Sequence, residues 1–480
     1  MTRLLIVCAV AIYCMTPPSR GRFGEAGQPP RRRAMTVTPA PGVAMSLAED
    51  RARRVSDLRY QLHFNVPADA ATRIDGEVTI RFTLSDGSRP LALDFSEPGP
   101  VRARIGGRTV VVTPANDHLV IEPADLHQGS NEITMGFVAG DAPLNRNPEF
   151  MYTLFVPARA RLAFPCFDQP DLKAKYTLSL DIPRGWEALA NGAETAREEH
   201  GAHVSIRYAE TGPLPTYLFA FAAGRFQIET AERNGRRLRM LHRETDAAKV
   251  ARNREAIFDL HAAALDWLER YTGIKYPFGK FDFLLVPSFQ FGGMEHAGAI
   301  FYNASGLLLD ETATQNQKLG RASVIAHETT HMWFGDLVTM RWFNDVWMKE
   351  VFANFMAAKI VNPSFPGINH DLRFLLSYYP AAYDVDRTAG TNAIRQRLDN
   401  LNEAGTLYGA IIYQKAPIVM RQLEMIVGEE PFRDGLRAYL NAHAFGNATW
   451  PDLIGCSTRG RPKISRRGAA HGWMRRAGRR

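Results

Sequence analysis

Cysteine is scarce in this sequence: its 480 residues include four, at positions 8, 14, 166 and 456. Two lie in the first 15 residues and one in the last 25, which leaves Cys166 alone in the body of the chain. A disulfide bond within the body is therefore excluded, and so is a structural zinc site of four cysteine thiolates. The fold must depend on a packed core, and apolar residues make up 45% of the chain, an ordinary share for globular domains.

Long apolar runs are also lacking. No stretch approaches 18 uninterrupted apolar residues, so a protein with several membrane spans is excluded. Residues 4–15 form an apolar run that follows Arg3 and has the length of a signal peptide rather than of a stable membrane span. We expect this leader to export the protein to the periplasm or the medium. If Met35 is the true start, the leader is absent and the protein is cytoplasmic.

Acidic residues are missing from positions 456–480, which hold nine Lys and Arg side chains. Without this tail and the Arg-rich residues 1–34, the chain has 43 basic and 49 acidic side chains, although the whole chain carries a net charge of +8. The body is thus mildly acidic, and we predict no nucleic-acid partner. The tail has too little apolar area to fold, which indicates a disordered segment or a frameshift in the source sequence.

Two kinds of periodicity divide the body of the chain near residue 235. Before it, short runs of alternating apolar and polar residues are separated by turn residues, which indicates an all-β domain. After it, the apolar spacing becomes helical. The predicted helices are 248–272, 319–336, 344–360 and 409–427, and a strand is predicted at 281–286. The predicted division is a leader with a Pro/Arg-rich linker (1–51), a β domain (52–235), a second domain (236–455) and the basic tail (456–480).

The sharpest motif is His-Glu-Thr-Thr-His at 327–331, inside a predicted helix. Residues four apart lie on one face of a helix, so His327 and His331 can reach the same ion. Glu328 lies beside the first histidine and can reach a metal-bound water rather than the metal. The alternative interpretation is a pair of solvated helix histidines.

A third ligand candidate, Glu350, follows His331 after eighteen intervening residues and lies on the next predicted helix. Antiparallel packing of the two helices would bring its carboxylate to the histidines. Two histidines, one carboxylate and an open position are typical of catalytic rather than structural zinc. We predict one Zn²⁺ per chain, although the same ligand types also bind other divalent ions.

Residues 324–355 closely resemble the H-E-x-x-H-x18-E core of the aminopeptidase N family, which belongs to the gluzincin zinc peptidases. Other segments resemble motifs of that family: the G-x-M-E-N exopeptidase loop at 292–296, the F-P-C-x-D-E-P segment at 164–172, a strand at 215–224 and the tyrosine motif at 412–415. The resemblance spans about residues 52–455. It implies a multidomain fold, with an all-β, saddle-like N-terminal domain followed by a thermolysin-like α/β, mostly helical zinc-peptidase domain.

The resemblance also implies catalytic roles. Zinc on the three predicted ligands would activate a water molecule, and Glu328 would be the general base. The hydroxyl of Tyr413 would donate to the developing oxyanion. Tyr408, in the same segment, is the rival for that role, and either tyrosine has the alternative of a packed core residue.

The exopeptidase loop is implied to bind the substrate through Gly292, Gly293, Met294 and Glu295. In the family, the glutamate of this loop meets the free α-ammonium of the substrate, which assigns that role to Glu295. A glycine-rich hairpin turn is the structural alternative. The expected activity is that of an aminopeptidase, a metallopeptidase that releases the first residue from peptides with a free N-terminus.

The sequence departs from the family in three places. His296 stands where the exopeptidase loop has asparagine, which could add a titrating group near the site. Val156 stands where the family has a Gln or Glu as a second ammonium anchor, so the amine is expected to rest on Glu295 and Glu350 alone. Finally, the resemblance ends near residue 455, and the chain apparently lacks the C-terminal helical domain of the family.

This last departure motivates a second hypothesis. The protein could be a truncated, catalytically impaired zinc-binding product that binds peptides without turnover, because the missing domain would normally cover the cleft. An epoxide hydrolase, as found among family members, is a more distant alternative because no feature of the sequence indicates a lipid pocket. The oligomeric state and the preferred N-terminal residue are left open.

Overall fold

The structure is a computed structural model that describes residues 39–96 and 101–457. The predicted leader, the linker up to residue 38 and the basic tail from residue 458 lie outside the described residues. Within the described part of the chain, no helix has both the length and the apolar character needed to cross a membrane.

The first half of the described chain is rich in β-strands. It begins with helix α1 (Met45–Arg54). The strands that follow are β1 (Val55–Asn65), β2 (Asp75–Leu84), β3 (Leu91–Asp94), β4 (Val101–Ile105), β5 (Arg108–Val112), β6 (Pro114–Ala115), β7 (His118–Ile121), β8 (Gly129–Val138), β9 (Leu144–Asn147), β10 (Phe150–Thr153), β11 (Lys175–Pro183), β12 (Glu187–Ala190), β13 (Glu194–His200), β14 (His203–Tyr208) and β15 (Phe221–Gly224). Short 3-10 helices lie at Pro123–Asp125, Ala160–Leu162 and Thr216–Leu218.

Most of these strands form one large sheet, with the order β13-β14-β11-β1-β2-β8-β4-β5 in the described residues. β1 pairs in parallel with β11 and antiparallel with β2. The alternation in the sequence explains the burial: Leu58, Tyr60, Leu62 and Phe64 of β1 all point into the core. Two smaller sheets have the orders β12-β15-β10-β9 and β3-β7-β6. The predicted β-rich first domain is confirmed.

The second half is mostly helical around a mixed sheet. Its strands are β16 (Gln227–Arg233), β17 (Arg236–His242), β18 (Phe281–Val286), β19 (Gly293–Met294), β20 (Ala299–Asn303), β21 (Thr339–Met340) and β22 (Asn447–Ala448). Its α-helices are α2 (Ala247–Thr272), α3 (Ala304–Leu307), α4 (Gln315–His331), α5 (Trp347–Val361), α6 (His370–Asp386), α7 (Ala416–Val427), α8 (Glu429–His443) and α9 (Trp450–Ser457). Shorter helical turns lie at Phe343–Asp345, Asn362–Ser364, Leu401–Leu407 and Ile411–Lys415.

The larger sheet of this half has the order β16-β17-β18-β20-β19 in the described residues, and β21 and β22 form a separate two-stranded sheet. All six residues of β18 are buried, which is typical of a strand covered on both faces. β19 lies at one end of the sheet and pairs antiparallel with β20. The strand that carries the predicted exopeptidase loop is therefore an edge strand.

Capping side chains fix the start of the long helices. The Asp246 carboxylate accepts the backbone N–H groups of Ala248 and Lys249 at the start of α2. Thr314 and Gln317 form a reciprocal capping box at the start of α4. As a result, α4 begins four residues before the predicted helix 319–336 and ends five residues before its predicted end, directly after the His-Glu-Thr-Thr-His motif.

Residues 45–51 differ from the expectation of a linker, because they form the beginning of α1 and pack against the β structure. The Arg51 guanidinium is 1% exposed and donates to both carboxylate oxygens of Asp94, at 2.6 and 2.8 Å. Asp94 also accepts the backbone N–H of Asp168 at 2.8 Å and lies 2.8 Å from His118 Nδ1. Asp168 belongs to the F-P-C-x-D segment, so this part of the family resemblance marks a buried polar cluster around Asp94.

We expect Asp94→Ala to lower the free energy of unfolding by about 3–5 kcal/mol, because it leaves the buried Arg51 guanidinium without its counter-charge. Burial alone would raise the pKa of Asp94, but Arg51 and His118 hold it well below its usual range. Chemical denaturation measures the loss. The control is Glu132→Ala, whose half-exposed pair with Arg81 contributes about 0–1 kcal/mol. Equal losses in the two variants would contradict the importance of the buried cluster.

Candidate active site

Helices α4 and α5 bring the three predicted metal ligands together. His327 and His331 lie one turn apart at the end of α4, and Glu350 lies in the first turn of α5. The two histidine Nε2 atoms are 3.1 Å apart. Glu350 Oε2 lies 3.5 Å from His327 Nε2 and 3.7 Å from His331 Nε2. Ligand atoms about 2.0–2.1 Å from a tetrahedral zinc ion stand about 3.3 Å apart, so this spacing fits one ion.

The outer ring nitrogens of both histidines also have partners. His327 Nδ1 lies 3.1 Å from Asn354 Oδ1, and His331 Nδ1 lies 3.1 Å from the carbonyl oxygen of Phe334. Because these oxygens only accept hydrogen bonds, each Nδ1 is protonated, and in the neutral ring Nε2 is then the nitrogen that offers a lone pair to a metal ion. At 3.1 Å the two Nε2 atoms can share a single cation, either a proton or a metal ion. The donor set therefore fits a divalent metal ion.

Glu328 lies beside this cluster and is 4% exposed. Its Oε2 atom is buried and has no hydrogen-bond partner among the described residues. Burial raises the pKa of the Glu328 carboxyl well above its usual value; the His327 charge opposes this rise, and the carboxylates of Glu295 and Glu350 reinforce it. A carboxylate with raised proton affinity and a free oxygen is suited to accept a proton near neutral pH.

The predicted exopeptidase loop lies directly against this carboxylate. A Cβ atom at Gly293 would stand 2.5 Å from Cγ, Cδ and Oε1 of Glu328, closer than any real contact. A Cβ at Gly292 would instead meet Val324 at an ordinary 3.6 Å. Of the two glycines, Gly293 is thus the one that the close approach requires, and Met294 beside it is buried. The loop and the predicted base occupy the same site.

Glu295 does not face the cavity as a free carboxylate. Its Oε1 accepts a hydrogen bond from Lys349 Nζ at 2.5 Å, and the same Nζ donates to Glu350 Oε1 at 2.7 Å. Burial would raise the pKa of both carboxyls, but the Lys349 ammonium, with histidine charges, holds both below their usual values. Lys349 is a site residue that no sequence motif indicated. The available signal was a lysine beside a predicted ligand in the otherwise apolar run 347–353.

Tyr408 and Tyr413 both reach the site, with their rings stacked 6.4 Å apart. Tyr413 lies in the π-helical turn Ile411–Lys415 that leads into α7. The Tyr408 hydroxyl is buried and has no hydrogen-bond partner in the part of the chain that the structure describes. Burial raises the pKa of both tyrosines, so both hydroxyls keep their proton and can donate at neutral pH. The choice of Tyr413 as oxyanion donor stays a prediction.

One cavity of about 710 Å³ joins these groups. All predicted site residues line it: Gly292, Gly293, Met294, Glu295, His327, Glu328, His331, Glu350 and Tyr413. Val156 also lines this wall, so the departure at that position lies within reach of a bound substrate. His296 does not: its ring is fully buried and packs 4.6 Å from that of Phe301. Burial lowers the pKa of His296 to about 3, so it adds no titrating group near neutral pH.

Comparison with models of protein families gives two matches. Residues 56–218 match the peptidase M1 N-terminal domain, and residues 257–461 match the peptidase family M1 domain. Together the two matches cover more than half of the chain. The chain belongs to peptidase family M1. The predicted aminopeptidase N family membership is thereby confirmed, as is the predicted arrangement of a β-rich domain followed by a helical peptidase domain.

Several curated relatives of this M1 chain are named aminopeptidases. A probable aminopeptidase 1 of Sulfurisphaera tokodaii is 32% identical over 72% of the chain and 43% of that protein. The puromycin-sensitive aminopeptidase of Caenorhabditis elegans is 34% identical over 63% of the chain and 32% of that protein. A leucyl aminopeptidase of Saccharolobus solfataricus is 32% identical over 63% of the chain and 38% of that protein. The chain spans less than half the length of these relatives.

Proposed function

We propose that the protein is a zinc-dependent aminopeptidase that hydrolyses the N-terminal peptide bond of peptides with a free N-terminus. The observation that carries this proposal is the convergence of the His327 and His331 Nε2 atoms with Glu350 Oε2, beside the buried Glu328 carboxylate in one cavity. The names of the M1 relatives, which describe aminopeptidases, support the same reaction.

The ligand triad would hold one zinc ion, which when bound supplies Lewis acidity to the scissile carbonyl and to the attacking water. Glu328 accepts a proton from the water as its oxygen attacks the carbonyl carbon. When the carbon–nitrogen bond breaks, Glu328 passes that proton to the leaving amine nitrogen. The unpartnered Oε2 of Glu328 is the atom available for both transfers.

Other residues of the cavity orient the substrate. The Tyr413 hydroxyl donates a hydrogen bond to the developing oxyanion. Gly292 and Gly293 let the main chain of the loop approach the substrate closely, and Met294 packs behind them. Glu295 provides negative charge for the α-ammonium, since a charged group in a closed site needs a partner.

The second hypothesis, a truncated product that binds peptides without turnover, receives no support from the comparisons. The M1 relatives that the chain matches are named for peptide hydrolysis. The residues proposed for metal binding, proton transfer and oxyanion stabilisation also all line one cavity of this chain. These observations favour the hydrolytic function over binding without turnover.

Purified full-length protein loaded with zinc is expected to release naphthylamine from leucyl- or alanyl-naphthylamide. A chelator should abolish the release, and added Zn²⁺ should restore it. Glu328→Gln keeps the shape of the side chain but removes the base, so we expect kcat to fall by roughly 10²–10⁴-fold. Continuous fluorescence of the released naphthylamine gives the rates.

The matched control is Glu132→Gln, on the exposed face of strand β8, which should leave the rates unchanged. Hydrolysis that survives both chelation and Glu328→Gln would assign the activity to something other than this site. Zinc-loaded protein that hydrolyses neither substrate would contradict the proposed function.

A further inference from the structure

The ε-ammonium of Lys349 lies in the cavity, at the place where the proposed function requires the α-ammonium of the substrate to bind. The side chain of Lys349 is 5% exposed, and Glu295 and Glu350 are 4% and 5% exposed. One Nζ–H points at Glu295 Oε1 at 2.5 Å and another at Glu350 Oε1 at 2.7 Å. The ammonium also lies 5.8 Å from the ring centre of Tyr217, on its face. Two carboxylates and an aromatic face thus surround one buried ammonium.

This set of partners is the one that the α-ammonium of a substrate would use. An α-ammonium and the ε-ammonium of lysine are both –NH₃⁺ groups with three donors and no acceptor. Glu295 and Glu350 are the two carboxylates expected to receive the substrate amine, because Val156 offers no charge in the same wall. In this structure the lysine of the chain itself occupies both of them.

The ε-ammonium of Lys349 and the α-ammonium of a substrate would compete for the same negative charge. The two carboxylate oxygens of Glu350 have different partners: Oε2 faces the histidines, and Oε1 faces Lys349. Lys349 neutralises much of the negative charge that remains on the carboxylate pair. A second ammonium brought to the same oxygens would meet a like charge within a few ångströms, and such a juxtaposition is unfavourable in a desolvated site.

We infer that Lys349 is a specificity-determining residue: its ε-ammonium is an internal occupant of the α-ammonium subsite formed by Glu295 and Glu350. A substrate with a free amine must displace this ammonium or bind beside it. A substrate whose amine is blocked carries no competing charge and pays neither penalty. The chain therefore discriminates less between free and blocked N-termini than the bare carboxylate pair would. This inference rests on the proposed function for its choice of substrate.

Direct binding tests this inference without turnover. Isothermal titration calorimetry compares leucine amide with N-acetyl-leucine amide on the full chain, both zinc-free and zinc-loaded. For Lys349→Met, which keeps an unbranched side chain one atom shorter and removes the charge, we expect leucine amide to bind about 10- to 100-fold more tightly. Binding of the acetylated amide should change by less than about twofold, because this ligand carries no positive charge that the freed carboxylates could attract.

The matched control is Lys359→Met on the same helix. Lys359 pairs with Glu424 and Glu429, at 2.9 and 3.2 Å, and should leave both affinities unchanged. Lys349→Gln is a second uncharged replacement that keeps a donor for the carboxylates, and it should act like Lys349→Met. If either variant is folded and shows an unchanged ratio of free to blocked affinity, the inference is overturned.

The affinities of the parent protein for the two amides test the inference even if both uncharged variants fail to fold. We expect it to bind leucine amide less than about tenfold more tightly than the acetylated amide. A preference of about tenfold or more would overturn the inference, because Lys349 would then not compete. In turnover assays the charge removal should lower KM for free-amine naphthylamides. Absent hydrolysis with the predicted binding shift would contradict the proposed function alone, and hydrolysis without the shift would contradict the inference alone.

Discussion

Replacing His327, His331 or Glu350 by alanine is expected to remove bound zinc and hydrolysis together, whereas Glu328→Ala is expected to keep the zinc and lose the hydrolysis. The three ligand atoms lie within 4.8 Å of one another, so each supplies a separate bond to one ion. Glu328 supplies a proton acceptor instead, worth roughly 10²–10⁴-fold in kcat. Zinc per chain after dialysis, measured by elemental analysis beside the naphthylamide assay, separates the two roles.

Asn354 provides an intermediate case for the same measurement. Its Oδ1 accepts the Nδ1 hydrogen bond that orients His327, so Asn354→Ala should weaken zinc affinity by about 10- to 100-fold without abolishing it. Equal loss of zinc in the ligand variants and in Glu328→Ala would contradict the assignment of ligands and base.

Tyr413→Phe is expected to lower kcat by about 10²–10³-fold with little change in KM, because it removes one donor to the oxyanion and no contact to the ground state. Tyr408→Phe should have a much smaller effect. The two tyrosines are a matched pair, since both line the cavity and their rings stack on one another. Steady-state kinetics on both variants measures the difference.

The buried hydroxyl of Tyr408 is the alternative oxyanion donor, so this pair of variants has a definite opposite outcome. A buried donor without an acceptor is available for a substrate oxygen, and Tyr408 is such a donor in this structure. If Tyr408→Phe shows the large loss in kcat and Tyr413→Phe does not, the oxyanion donor is Tyr408 and the motif-based choice is wrong.

The convergence of His327, His331 and Glu350 could be expected from the sequence because it follows from local rules. His327 and His331 are one helical turn apart, so any helix over 327–331 brings them together. Glu350 required only that the next helix pack beside the first, which its apolar residues indicate. The alternation in β1 likewise predicted a strand whose buried face is set by period two.

The contacts that the sequence did not reveal join residues far apart in the chain. Lys349 meets Glu295 across 54 positions, and Arg51 meets Asp94 across 43. Neither pair leaves a periodic signal, because a buried ion pair depends on tertiary proximity rather than on spacing. In a local pattern, the charged residues of α1 look like a solvated linker, which is why the boundary at residue 51 differs from the structure.

Helix α6 was missed for a different reason. Leu372, Leu375 and Leu376 on this helix are between 49% and 64% exposed, so its apolar residues do not form a single buried stripe. Pro380 lies inside the helix and argues against a helix in any sequence-based assignment. Amphipathic periodicity predicts a helix that buries one face against a core, and α6 does not fit that description.

The buried cluster around Asp94 also bears on the order in which the protein folds during synthesis. The side chains and backbone groups that partner this carboxylate, in Arg51, His118 and Asp168, all lie within the first 168 residues. At a synthesis rate of about 5–20 residues per second, roughly 10–35 seconds pass between Asp168 and Glu350. The partners of the buried Asp94 carboxylate are thus all synthesised before Glu350, the last of the three proposed zinc ligands. The nascent β half can therefore form the buried cluster around Asp94 before the peptidase half has been synthesised.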